Sequence, residues 1–142
     1  MTTQVTRELM PDGVIRLSAP GCTFLFRRLR PGAFLVTISG NDKGQFGTAT
    51  LDEIRLELLR ERPIELFVDA RNATGAAVSV SEEWTRFFSL NRDSLRRVSV
   101  LVGSKVMNLT VSIAQHLSRT GDLIQIYSDP LTFDERVTAA GG

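Results

Sequence analysis

Apolar and polar positions alternate through the first half of the chain. Cys22, Phe24 and Phe26 fall on one side of an extended run, with Leu25, Arg27 and Leu29 on the other. After Arg30-Pro31-Gly32, Phe34, Val36 and Ile38 again share one side. Two period-two runs separated by proline and glycine predict an antiparallel hairpin over 22–29 and 33–39 with one well-buried face. Proline and glycine suit the central positions of a type II turn, because glycine tolerates the positive φ required there. A shorter strand is expected over Val14–Leu17, between the turn signals Pro11-Asp12-Gly13 and Pro20-Gly21. Residues 1–10 carry no clear period and read as a loose start.

The period then changes. Leu51, Ile54 and Leu58 share one helical face, Thr50 and Glu53 match a capping box, and Pro63 stops the helix. Leu56 lies off that face and is expected to be an exposed contact residue. Ile64–Val68 reads as a strand covered by helices, and Asp69–Val80 as a turn-rich connection. A helix opens at Ser79 or Ser81, with Val80, Trp84, Phe87 and Phe88 as its inner stripe. Val98–Val102 is a strong strand. Residues 105–119 fit both periods, since Met107, Leu109, Val111 and Ile113 alternate while Val106, Leu109, Ile113 and Leu117 make a helical stripe. Length favours the helix. With that stripe facing inward, Met107 and Val111 point away from it and form an exposed apolar patch. Leu123–Tyr127 is a last strand, and Pro130–Val137 a closing helix with proline in its first turn.

The order predicts an α/β fold. An N-terminal β-hairpin leads into a mixed, largely parallel sheet of about five or six strands with about four helices and right-handed crossovers. At 142 residues the chain suits one domain, 1–142, with an ordered core over roughly 14–137 and loose termini.

Composition narrows the function classes. Seventeen basic and sixteen acidic residues give a net charge of +1, unlike a dedicated nucleic-acid binder. Cys22 is the only cysteine, so no intrachain disulfide can form. No window approaches the roughly 20 apolar residues of a transmembrane segment, and Met1–Met10 lacks the apolar segment of a signal peptide. A cytoplasmic protein is the simplest expectation.

Candidate chemistry is sparse. The glycine-rich stretch 40–47 has neither P-loop nor dinucleotide spacing and reads as a connection. His116 and Cys22 are the sole members of their kinds, which argues against a nucleophilic triad and a structural zinc site. Asp69 and Asp129 follow strands and Asp42 lies in the loop after another. Together they would suit a magnesium site or a carboxylate enzyme only if they converged. No catalytic, metal or cofactor residue is therefore assigned. Ser79 and Ser81 remain, as helix caps or as regulatory phosphorylation sites where the helix dipole favours added negative charge and Glu82 and Glu83 oppose it.

The element order, the hairpin start and the junction of strand, Asp69, loop, Ser79/Ser81 and helix resemble the STAS domains, and more loosely the SpoIIAA-like STAS/SEC14 group. The resemblance spans roughly Phe24 to Val137. In anti-sigma-factor antagonists of this family an Asp-Ser-Ser-Gly-like motif carries the phosphoacceptor serine. Here the matching region reads Ala77-Val78-Ser79-Val80-Ser81-Glu82, without the preceding aspartate or the following glycine. The resemblance implies a non-enzymatic regulatory or scaffolding domain without a cofactor, acting through a protein partner. Homo-oligomerisation is compatible with it, and a small apolar or lipid ligand is the alternative. The expected interaction residues are Asp69, Trp84, Met107, Val111 and Leu56.

Overall fold

In a computed structural model describing residues 4–141, one seven-stranded sheet follows the chain in spatial order. β1 (Thr6–Leu9), β2 (Ile15–Ala19), β3 (Cys22–Arg30) and β4 (Ala33–Asp42) form an antiparallel meander. β5 (Ile64–Ala76), β6 (Leu95–Val102) and β7 (Ile124–Tyr127) then add in parallel to β4. The three parallel connections carry α1 (Ala49–Arg60), α2 (Val78–Leu90) and α3 (Lys105–Ser118), and α4 (Pro130–Ala140) closes the fold.

The parallel part grows in one direction, so crossovers of one hand place their helices on one face. That face holds the main core. Leu51, Ile54 and Leu58 of α1, Phe87 and Phe88 of α2 and Met107 of α3 pack with Val36, Leu66, Val68, Val98 and Val100 of the strands. The intervening strand positions face the other way, as the period of two requires. There Ala33, Phe67 and Leu101 meet Phe133 and Ala140 of α4.

The sheet is larger than the sequence suggests. Thr6–Leu9, read as a loose start, pairs antiparallel with β2. β4 and β5 run on together to the pair Asp42–Ala76, through stretches read as loops. β6 pairs with β5 only as far as Ala70 and Val102. Beyond that point β5 is an edge with exposed polar residues such as Asn72 and Thr74, so its apolar signal stops while its hydrogen-bond ladder continues. The C-terminal helix likewise continues to Ala140, whose carbonyl accepts from Arg30 Nε at 2.8 Å.

α1 begins one residue before the expected cap. Thr48 precedes it without a side-chain cap, and Glu53 turns inward. Glu53 and Glu57 are both buried on the sheet side. Arg7 Nε donates to Glu53 Oε1 at 2.6 Å, and Arg28 donates twice to Glu57, at 2.7 and 2.6 Å. These carboxylates raise both guanidinium pKa values, chiefly through the hydrogen bonds. Leu56 is exposed, in agreement with its place off the inner face.

α3 is a helix, and its orientation corrects the expected one. Met107, Ala114 and Ser118 are buried and Val111 is half-buried against the core, whereas Val106, Leu109, Ile113 and Leu117 are exposed. Size did not decide which stripe turned inward. α3 packs against both the sheet and α2, and its small Ala114 and Thr110 lie on the shared side. The buried Ser118 hydroxyl is satisfied by the Gln115 carbonyl and Thr120.

Candidate functional site

The start of α2 lies at the carboxyl end of β5, where α/β sheets place their ligand and control sites. It is fixed by backbone contacts. The Ala77 amide donates to the Asp42 carbonyl at 2.9 Å, tying the helix entrance to the end of β4. α2 opens at Val78 with Ala77 as its cap and no side-chain capping bond, so neither Ser79 nor Ser81 caps the helix. Ser79 stands exposed in the first turn. Ser81 is half-buried and faces a cavity.

That cavity, of about 80 Å³, lies between the sheet and helices α2 and α3. Val68, Trp84, Phe88, Val100 and Met107 are among its walls. Trp84 is half-buried with its ring centroid 5.8 Å from that of Phe88, so it serves as a packing anchor. The cavity sits where an apolar ligand would be expected, but falls below the roughly 300–1,000 Å³ of small-molecule sites.

Asp42 also borders the cavity and is itself buried. Its Oδ1 accepts from the Gly44 amide at 3.0 Å. Burial pushes its carboxyl pKa up, and the Glu83 charge adds to the rise. A carboxyl that holds its proton more tightly when folded loses native stability as pH rises from the unfolded pKa through the native one. The loss is therefore complete near neutrality and absent in acid. Asp42→Asn, which keeps the acceptor for Gly44, should be more stable than the parent at pH 7 and equal to it at pH 3. Urea denaturation at both pH values would test this, and an equal difference at both would refute it.

The other carboxylates are committed elsewhere. Asp69 accepts from the backbone amide and the Nε of Arg71, at 3.2 and 3.0 Å, and Arg71 also binds Asp134 of α4. Those two carboxylates raise the Arg71 pKa. Asp69 is thus half-buried in a clamp on the α4 side. Asp129 caps α4 through the Leu131 amide, and the Thr132 hydroxyl leads the interactions that lower its pKa. Asp42, Asp69 and Asp129 accordingly have separate partners. Among the described residues no group of three or more His, Cys, Asp or Glu is placed to hold a metal.

His116 is exposed on α3, whereas Cys22 is buried in β3 with its thiol pKa pushed up to about 12, chiefly by burial. No helix among the described residues is long and apolar enough to cross a membrane. Of the expected contact residues, Leu56 is exposed, Asp69 and Trp84 are partly exposed, and Met107 belongs to the core. The exposed face of α3 was legible in the residues but assigned to the wrong side, since both of its stripes are apolar.

No protein-family model and no curated protein matches the sequence. Solved structures do match the fold. A crystal structure of an anti-sigma factor antagonist from Mycobacterium paratuberculosis superposes with a TM-score of 0.61 at 16% identity, covering 85% of this chain and 98% of that one. A protein of the DUF3478 family with a SpoIIAA-like fold, from Shewanella loihica PV-4, gives 0.56 at 12% identity, covering 82% and 94%. These superpositions and the order of elements show that this chain has a SpoIIAA-like fold, the α/β architecture expected from the sequence enlarged to seven strands.

Proposed function

We propose that this chain is a single-domain, non-enzymatic regulatory module of the cytoplasm that works by binding a protein partner in a partner-switching pathway. The observation that carries the reading is the likeness of fold to the anti-sigma factor antagonist over 85% of this chain, joined to a helix entrance that exposes Ser79. A phosphate on Ser79 would meet the unpaired amides of the first helical turn and the positive end of the dipole, while Glu82 and Glu83 repel it. That balance suits a reversible mark. Ser81, turned toward the cavity, is less accessible to a kinase.

The test is native mass spectrometry of the full chain isolated from the cells that make it. The expected result is a complex with one other protein, together with a fraction of chain phosphorylated on Ser79. Ser79→Glu should weaken that complex by about tenfold, equivalent to about 1.4 kcal/mol, while Ser79→Ala preserves it. Recovery of free, unmodified chain in every preparation would overturn the reading.

A further inference from the structure

The outward face of α3 has no role in the fold. Val106, Leu109, Ile113 and Leu117 are 63%, 63%, 47% and 59% exposed. They recur at i, i+3, i+7 and i+11, which aligns them as a ridge along the helix. Beneath the same helix, inward positions are filled by Met107, Val111 and Ala114 and leave the cavity partly empty. Burial alone would have favoured the reverse, with bulky residues inside and small ones outside.

Charge and size indicate what covers the ridge. From Ser94 to Gly121 the chain has no aspartate or glutamate, while Lys105, His116 and Arg119 stand exposed along or just beyond α3. At 100° per residue, Lys105 and His116 lie on one side of Leu109, about 40° and 20° from it, near opposite ends of the ridge. From Val106 to Leu117 the ridge spans about 16 Å, or three helical turns. Its exposed apolar surface, on the order of 400 Å², is about half the roughly 800 Å² per partner of a standard interface. Two antiparallel copies meeting on this face would set the basic edge of one, Lys105 and Arg119, against the basic edge of the other. Lys105 and Arg119, on a chain of net charge +1, are also few cations for a membrane-surface helix.

We infer that the α3 ridge docks an amphipathic helix of a partner protein, one whose apolar stripe is bordered by acidic side chains. The inference rests on the interaction reading above and adds to it a second contact surface, apart from the α2 entrance. Apolar contact along Val106, Leu109, Ile113 and Leu117 supplies area, and Lys105 and His116 fix the register.

The test places the photocrosslinker p-benzoylphenylalanine at position 113 in one full-length chain and at position 79 in another, each made in its own cells. The crosslinked segment is then sequenced. The expected product from position 113 is a helical segment with apolar residues at i, i+3 or i+4 and i+7 and with flanking Asp or Glu. Leu109→Ser/Ile113→Ser should reduce recovery of that partner at least tenfold while circular dichroism and the unfolding midpoint confirm an intact fold. Crosslinking of position 113 to a second copy of the chain, to lipid, or to a segment without acidic flanks would overturn the inference, as would unchanged recovery with the double variant. A partner captured from position 79 but not from 113 would remove the α3 surface alone. Absence of a product from both positions would remove the interaction reading as well.

Discussion

Gly40→Ala is expected to remove at least about 4 kcal/mol of stability, enough to unfold a large fraction of a domain whose total lies near 5–15 kcal/mol. Two effects add. Gly40 has φ of 95°, a left-handed conformation that a side chain makes unfavourable. A Cβ at this position would also lie 2.1 Å from the Gly21 carbonyl oxygen, 3.0 Å from its carbon and 3.1 Å from the Cys22 Cα. Those atoms are backbone, so no rotamer change relieves the overlap. The strands β3 and β4 would have to separate at their Cys22–Gly40 pair, where the Asn41 amide also donates to Gly21 at 3.0 Å. Gly44→Ala isolates the first effect, because Gly44 has φ of 96° with no atom within 4 Å of an added Cβ. It should cost only about 1–2 kcal/mol. Chemical denaturation of both variants measures the difference, and equal losses would show that the close approach has no energetic weight.

Where a strand is covered by apolar packing the sequence is legible; where it is held by backbone pairing and polar contacts alone, it is not. The hairpin 22–39 was readable because Phe24, Phe26, Phe34 and Val36 lie against helices while their neighbours face the other side. The end of β5 escaped because it is held by ladder pairs such as Ser39–Asn72 and Asn41–Gly75, while Arg71 and Thr74 sit at breaks in the register and Asn72 and Thr74 are left uncovered. β1 escaped for the same reason, with all four residues exposed. In α3 both candidate stripes were visible, but the choice between them depended on α2, packed alongside it. The candidate control site was legible as a junction only. Which serine is exposed follows from the helix opening at Val78, a position set by the Ala77 amide's bond to the distant Asp42 carbonyl rather than by a capping side chain.

The same distinction governs α1, where the sequence offered Glu53 as a capping group and the structure uses Glu53 and Glu57 as inward anions. Arg28→Met should therefore destabilise the protein by about 3 kcal/mol, because it leaves the Glu57 carboxylate buried without its partner. The figure lies at the low end for a broken buried pair because Arg28 is itself 38% exposed and water reaches that side. Arg28→Met/Glu57→Leu should recover most of the loss, since an apolar pair of similar volume carries no desolvation cost. The Arg7–Glu53 pair is a weaker version of the same contact. Its second bond is 3.4 Å long and Arg7 is 55% exposed, so Arg7→Met should cost no more than about 1 kcal/mol. A double-mutant cycle on Arg28 and Glu57, read by urea denaturation, separates the pair from its surroundings. If the double variant is no more stable than Arg28→Met alone, the loss comes from the packing of the Arg28 stem and the buried carboxylate is not its cause.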